Sequence, residues 1–219
     1  MGRKNKLQRF SEIAQFENVF EYTDFEETDP PKGRWKSRVF ENENPIVLEL
    51  ACGKGEYTIY LADKHPDKNF IGIDLKGARI WKGAKYALEK GLSNVRFIRM
   101  FIDHLEDYFT KGEIDEIWIT FPDPYPRKSK VNKRLTSPKF LAIYRNVLKP
   151  GRPIHLKTDS DKLYQFTLET IKEEDCKIIR KVDDVYREAP EDELLTNQTF
   201  YEKQHLEDGR TIHYVKFKL

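Results

Sequence analysis

Glu49, Gly53, Gly55 and Asp74 are residue types at spacings that could cradle a nucleotide-like ligand. The turn Cys52-Gly53-Lys54-Gly55 directly follows the apolar run Ile46-Val47-Leu48-Glu49-Leu50. Two glycines there remove side chains so that a ligand can approach the backbone, and the start of a following helix offers free N–H groups. Asp74 ends a second apolar run nineteen residues after Gly55, the place from which an acid accepts hydrogen bonds from ribose hydroxyls. A nicotinamide-dependent oxidoreductase would use the same device, usually with a third glycine where this chain has Thr58. The Glu49 carboxylate also suits a positively charged ligand better than a pyrophosphate, and S-adenosylmethionine, with its sulfonium and ammonium groups, is such a ligand. Asp103, after a third apolar run, is placed either to accept from an adenine amino group or to cap the short helix that it precedes.

A second constellation lies at Pro122-Asp123-Pro124-Tyr125-Pro126. Prolines around one acid make a stiff loop that presents a carboxylate and an aromatic ring with little conformational freedom. Arg127, Lys128, Lys130, Lys133 and Arg134 follow at once, a run that reads as a solvated loop or, beside an active site, as a track for phosphates. Any nucleic-acid binding must come from such local patches, because 39 Lys and Arg nearly balance 37 Asp and Glu over the whole chain. Arg3, Lys4, Lys6 and Arg9 form a further basic cluster near the start.

The elements that must position these residues alternate. Strands are predicted at 46–50, 70–74, 95–98, 114–121 and 154–157, with helices up to 65 and over 77–90, 104–110, 138–148 and 161–172. Two late strand-like runs, 177–182 and 211–217, flank an acidic loop. Such alternation requires crossover connections and right-handed winding, so the fold is predicted to be α/β, a doubly wound, mostly parallel, seven-stranded Rossmann-like sheet. A length of 219 residues fits one domain, read as 45–219, with residues 1–44 an extension packing back onto it. That extension carries the breaker Pro30-Pro31-Lys32-Gly33 and the aromatics Phe10, Phe16, Phe20, Tyr22 and Phe25 without clean periodicity. Two cysteines, Cys52 and Cys176, imply neither a disulfide framework nor a zinc cluster, and the five histidines show no metal-ligand spacing, so no metal is expected. No run approaches a membrane span, and a cytoplasmic protein is expected.

The ordered series Lys32-Gly33-Arg34-Trp35, Asn44-Pro45, Glu49 to Gly55, Phe70 to Asp74, Phe121-Pro122-Asp123-Pro124, Lys133-Arg134, Lys157-Thr158-Asp159 and Thr199-Phe200-Tyr201-Glu202 resembles the bacterial tRNA (guanine-N7-)-methyltransferase family over nearly the whole chain. The resemblance implies transfer of a methyl group from S-adenosylmethionine to N7 of a guanine in the tRNA variable loop, at position 46. It implies cofactor contacts at Glu49, Gly53, Gly55, Asp74, Asp103 and Asp123, with Asp123 also catalytic. Arg127, Asp159 and Thr199, Phe200, Tyr201 and Glu202 would meet the substrate guanine, and Ser129, Lys130, Val131, Asn132, Lys133 and Arg134 would lie along the RNA. The chain departs from the family at Ala51, Tyr125, Arg127 and Ser129-Lys130, where glycine, tryptophan, lysine and an Arg-His pair are frequent. Asp159 would also serve as N-cap of the helix that follows it. Thr199 to Glu202, without the resemblance, reads as a loop with buried aromatics. No obligate protein partner is expected, and the chain is read as a monomer or homodimer. Alternatives are a methyltransferase acting on another RNA, a protein or a small molecule, and a non-catalytic RNA-binding protein that uses the basic loop.

Overall fold

The computed structural model describes residues 5–21 and 31–219; Arg3, Lys4, Tyr22, Phe25 and Pro30 lie outside them. The chain forms two compact units, Met1–Thr110 and Lys111–Leu219. Eight strands occur among the described residues, mostly parallel and alternating with helices in an α/β fold, one more than the seven expected.

In the first unit the order of strands is β1 (Val19–Glu21), β4 (Val95–Arg99), β3 (Asn69–Asp74), β2 (Ile46–Leu50), all parallel. Leu48, Leu50, Ile71, Ile73, Phe97 and Ile98 are fully buried, and every residue of β2 and β3 is buried. Continuous burial on both faces is why these strands read as unbroken apolar runs rather than as alternating ones. Helices α2 (Glu56–Lys64) and α3 (Gly77–Glu89) make the crossovers, and a 3-10 turn (Ile102–His104) leads into the short α4 (Leu105–Tyr108).

The eighth strand comes from the extension, whose sequence has no clean periodicity. Asn5 and Gln8 form a capping box that starts α1 (Lys6–Ile13), each side chain accepting from the other's backbone N–H at 2.9 Å. β1 then adds to the sheet edge, with Val19 opposite Phe97 and Glu21 opposite Arg99. Arg99 Nη1 meets Glu21 Oε2 at 2.5 Å. Trp35 opens a π-helical turn (Trp35–Phe40), is fully buried, donates to the Tyr108 carbonyl at 2.8 Å and stacks on Phe109.

The second unit has the order β5 (Glu116–Thr120), β6 (Pro153–Thr158), β8 (His213–Lys218), β7 (Lys177–Val182). β5 and β6 are parallel, and β8 runs antiparallel to both its neighbours, the late strand pair that the sequence predicts. A 3-10 segment (Lys128–Lys133), α5 (Pro138–Val147) and α6 (Asp161–Glu173) connect the earlier strands. The stretch expected to be an acidic loop is instead three short helices, α7 (Val185–Glu188), α8 (Glu193–Thr196) and α9 (Phe200–Glu207). Asp184, Asp192 and Thr199 are their N-caps, so acids that read as loop composition are helix-start signals.

Candidate functional site

The first unit carries the glycine turn, and its two glycines do different work. Gly53 has φ +58, and a side chain built there would find no heavy atom within 4 Å. That open space lies at the carboxyl end of β2, where ligands of parallel sheets bind. Gly55, at φ +68, faces inward instead: an added Cβ would sit 2.5 Å from Phe97 Cε1. Its lack of a side chain is required by the packing of the turn on β4, a reason that the sequence does not show.

Asp74 ties the turn to β3. Its Oδ2 accepts from the Gly53 N–H at 3.0 Å and its Oδ1 from the Lys76 N–H at 2.7 Å. Glu49 is buried, and its Oε2 accepts from the Thr58 N–H at 2.8 Å and from the Thr58 hydroxyl. The position that lacks the third glycine is thus where β2 grips the first turn of α2. Both carboxylates make the turn electronegative: burial first, then Glu49 and Asp74, push the Cys52 thiol well above its ordinary pKa. Asp103 is exposed in the 3-10 turn, and the N-cap residues of that turn and of α4 are Phe101 and His104.

Ala51, the departure from the family's frequent glycine, has φ +58. An L-residue there carries on the order of 1 kcal/mol of strain. Ala51→Gly is expected to stabilise the protein by about 0.5–1 kcal/mol, read as a higher denaturant midpoint at unchanged slope; a lower midpoint would show that the alanine methyl is held by packing.

The second unit gathers the remaining motifs. Phe121 and Tyr125, at φ +48 and +42, bracket Pro122-Asp123-Pro124. Left-handed backbone at two aromatic residues costs roughly 1–3 kcal/mol each and persists only where the surroundings hold it. Arg134 supplies part of that hold. It is buried, its Nε and Nη2 donate to the Tyr125 carbonyl at 3.3 and 3.1 Å, Nε also reaches the Pro124 carbonyl at 3.2 Å, and its guanidinium lies 4.4 Å from the Phe166 ring centre. Arg134 is expected from sequence to lie along the RNA; its Nε and Nη2 are turned into the loop. Asp123 is exposed and makes no hydrogen bond or ion pair with a described residue. Arg127, Ser129, Lys130, Asn132 and Lys133 are exposed too, and Val131 is half-buried.

Lys157-Thr158-Asp159 and Thr199 to Glu202, distant in sequence, are clasped together. Lys157 and Glu202 are both wholly buried, with Nζ 2.6 Å from Oε1. Tyr186 donates to the same Oε1 at 2.8 Å, while Oε2 is buried with no partner. Burial lowers the Lys157 pKa, and Glu202 opposes that shift. Lys157 Nζ also lies 5.6 Å from the Phe121 ring centre, and that ring packs 5.7 Å from His205, whose Nδ1 is 3.6 Å from Asp159 Oδ2. Asp159 pairs with Arg210 at 2.7 Å, and the N-cap of α6 is Ser160, not Asp159 as expected.

Thr199 caps α9, which projects Phe200 and Tyr201 from its first turn; they are 47% and 38% exposed, with rings in edge contact at 5.5 Å. The motif that reads as a loop with buried aromatics is therefore a helix start that buries its acid and exposes its rings. Tyr186, His205 and Arg210 do not stand out in the sequence as site residues, and Lys157 enters only as part of the Lys157-Thr158-Asp159 motif. Lys157 also carries a physical signal: a lysine inside the strand Pro153–Thr158 must find an acid if the strand is buried. Among the described residues no group of three or more His, Cys, Asp or Glu could hold a metal ion, and no helix is long and apolar enough to cross a membrane.

A family model described as "Putative methyltransferase" matches residues 43–215. A tRNA (guanine-N(7)-)-methyltransferase of Christiangramia forsetii is 51% identical over the full length of both chains. One of Porphyromonas gingivalis is 48% identical over 94% of this chain and 86% of its own. Among solved structures, a 16S rRNA methyltransferase, KamB, aligns over 88% of this chain and 95% of its own with a TM-score of 0.64 at 15% identity, a likeness of fold.

Proposed function

Because this chain belongs to the tRNA (guanine-N7-)-methyltransferase family, we propose that it transfers the methyl group of S-adenosylmethionine to N7 of the guanine at position 46 in the variable loop of tRNA. Kinship carries the choice of substrate. The observation that carries the chemistry is the unbonded Asp123 carboxylate, held on a strained, proline-braced loop in the unit where Lys157–Glu202 clasps the Asp159 and Phe200-Tyr201 motifs.

The residues of the first unit fit the cofactor. A glycine opening onto empty space, two carboxylates that make the turn negative and an acid at the end of β3 match a cationic amino acid joined to a ribose. Gly53, Asp74, Asp103 and Glu49 would hold S-adenosylmethionine, which when bound supplies an electrophilic methyl group on its sulfonium.

Guanine N7 is an acceptor with an available lone pair, so no base is needed to activate it. The protein's work is to align N7 with the methyl group, exclude water and meet the positive charge that moves onto the purine. Asp123, with Asp159 beside it in function, would accept from the guanine N1–H and amino group and stabilise that charge. Glu202 Oε1 is engaged by Lys157 and Tyr186, and its Oε2, buried without a partner, would be the acceptor for the base. Phe200, Tyr201 and Tyr125 would stack on a guanine drawn from its tertiary contacts. Arg127 and the exposed residues 128–133 would run along phosphates. The protein would work in the cytoplasm, as a monomer or homodimer without an obligate partner.

Incubation with methyl-labelled S-adenosylmethionine and unmodified tRNA, followed by digestion to nucleosides, is expected to place the label on 7-methylguanosine. Label on any other nucleoside would overturn the reading, and a tRNA with position 46 changed from guanine tests the site.

A further inference from the structure

A cleft of about 680 Å³ in the first unit begins one residue beyond Asp74 and is lined by five cations and no acid: Lys6, Arg9, Lys76, Arg79 and Arg99. Arg99 is balanced by Glu21. The other four form no ion pair with a described residue, and Arg9 Nε is buried without an acceptor.

The cleft surrounds the start of α3, and the charges there run against the helix. α3 has thirteen residues, no side-chain cap and no acid in its first turn, while Lys76 and Arg79 flank that turn. Cations at a helix N-terminus oppose its dipole, and the N–H groups of Gly77 and Ala78, which line the cleft, have no acceptor among the described residues. A bound anion would satisfy the N–H groups, the dipole and the four unpaired cations together. Phe10 and Leu75, 43% and 38% exposed, form an apolar rim suited to a sugar rather than to a free ion.

We propose that this cleft is a docking site for backbone phosphate of the tRNA, built from residues other than the basic loop at 127–133 and resting on the tRNA reading above. Lys76 and Arg79 are exposed, so their removal spares the core. Lys76→Ala/Arg79→Ala is expected to weaken tRNA binding at least tenfold at low salt. The slope of log affinity against log salt should become shallower by about 0.7–0.9 for each phosphate that is no longer neutralised. Removal of charges that oppose the dipole should leave the melting temperature unchanged or raised, an outcome that a merely structural role for these residues would not give.

The measurements are fluorescence anisotropy with tRNA, calorimetry with inorganic phosphate and thermal melts of both proteins. A variant that binds tRNA as well as the parent overturns the proposal. So does wild-type protein that binds inorganic phosphate, fails to bind it in the variant, and yet shows no change in tRNA affinity, since the cleft is then a free-anion site. Wild-type methylation of tRNA alongside either result leaves the proposed activity standing; its absence overturns that activity instead.

Discussion

Asp123→Ala is expected to lower single-turnover methylation of tRNA by about two to three orders of magnitude while leaving the fold intact. The carboxylate is exposed and unbonded to any described residue, so its removal breaks nothing in the free protein. Surface changes of that kind usually stay within about 0.5 kcal/mol of the parent stability. Removing one fixed group that meets developing charge typically costs roughly 10²–10³ in rate. The pairing of a large fall in rate with an unchanged melt distinguishes this role from a structural one. A variant with near wild-type turnover would remove Asp123 from the chemistry, and a variant that melts early would show that the loop depends on its acid.

Glu202→Leu should have the opposite signature, a loss of stability of roughly 3–5 kcal/mol, because it strands the buried Lys157 ammonium without its counter-charge. Lys157→Met should cost a similar amount by stranding Glu202. The double variant Lys157→Met/Glu202→Leu replaces a buried ion pair with apolar volume and is expected to recover most of that stability. Activity should not return with it, since the apolar pair has neither the Glu202 Oε2 acceptor nor the charges beside Phe121. Denaturant melts of the three variants, with methylation assays on the double variant, check both halves. Stability that fails to recover would mean that Tyr186, left without the acceptor for its hydroxyl, dominates the cost.

The parallel core is legible in the sequence because strands buried on both faces are written as apolar runs, Ile46 to Leu50 and Phe70 to Ile73 among them. β1 is not, since three edge residues, Val19–Glu21, carry no period. The short helices after Asp184 are hidden because four-residue helices hold too few turns to show periodicity, although their caps are in plain view. For the site, spacing points to Gly53, Asp74 and Asp123 but not to how they are held. That Gly55 yields to Phe97, that Arg134 stacks on Phe166 and that Glu202 meets Lys157 are long-range pairings. No local pattern specifies them.

The left-handed turns at Phe121 and Tyr125 have a consequence for the thermodynamics of recognition. A segment fixed by two prolines, two unfavourable dihedral pairs and a buried guanidinium has already given up its conformational entropy when the chain folds. If the proposed contact with guanine holds, it would require no further ordering of this backbone, and the entropic cost of binding would fall on an RNA nucleotide that leaves its stack rather than on the protein.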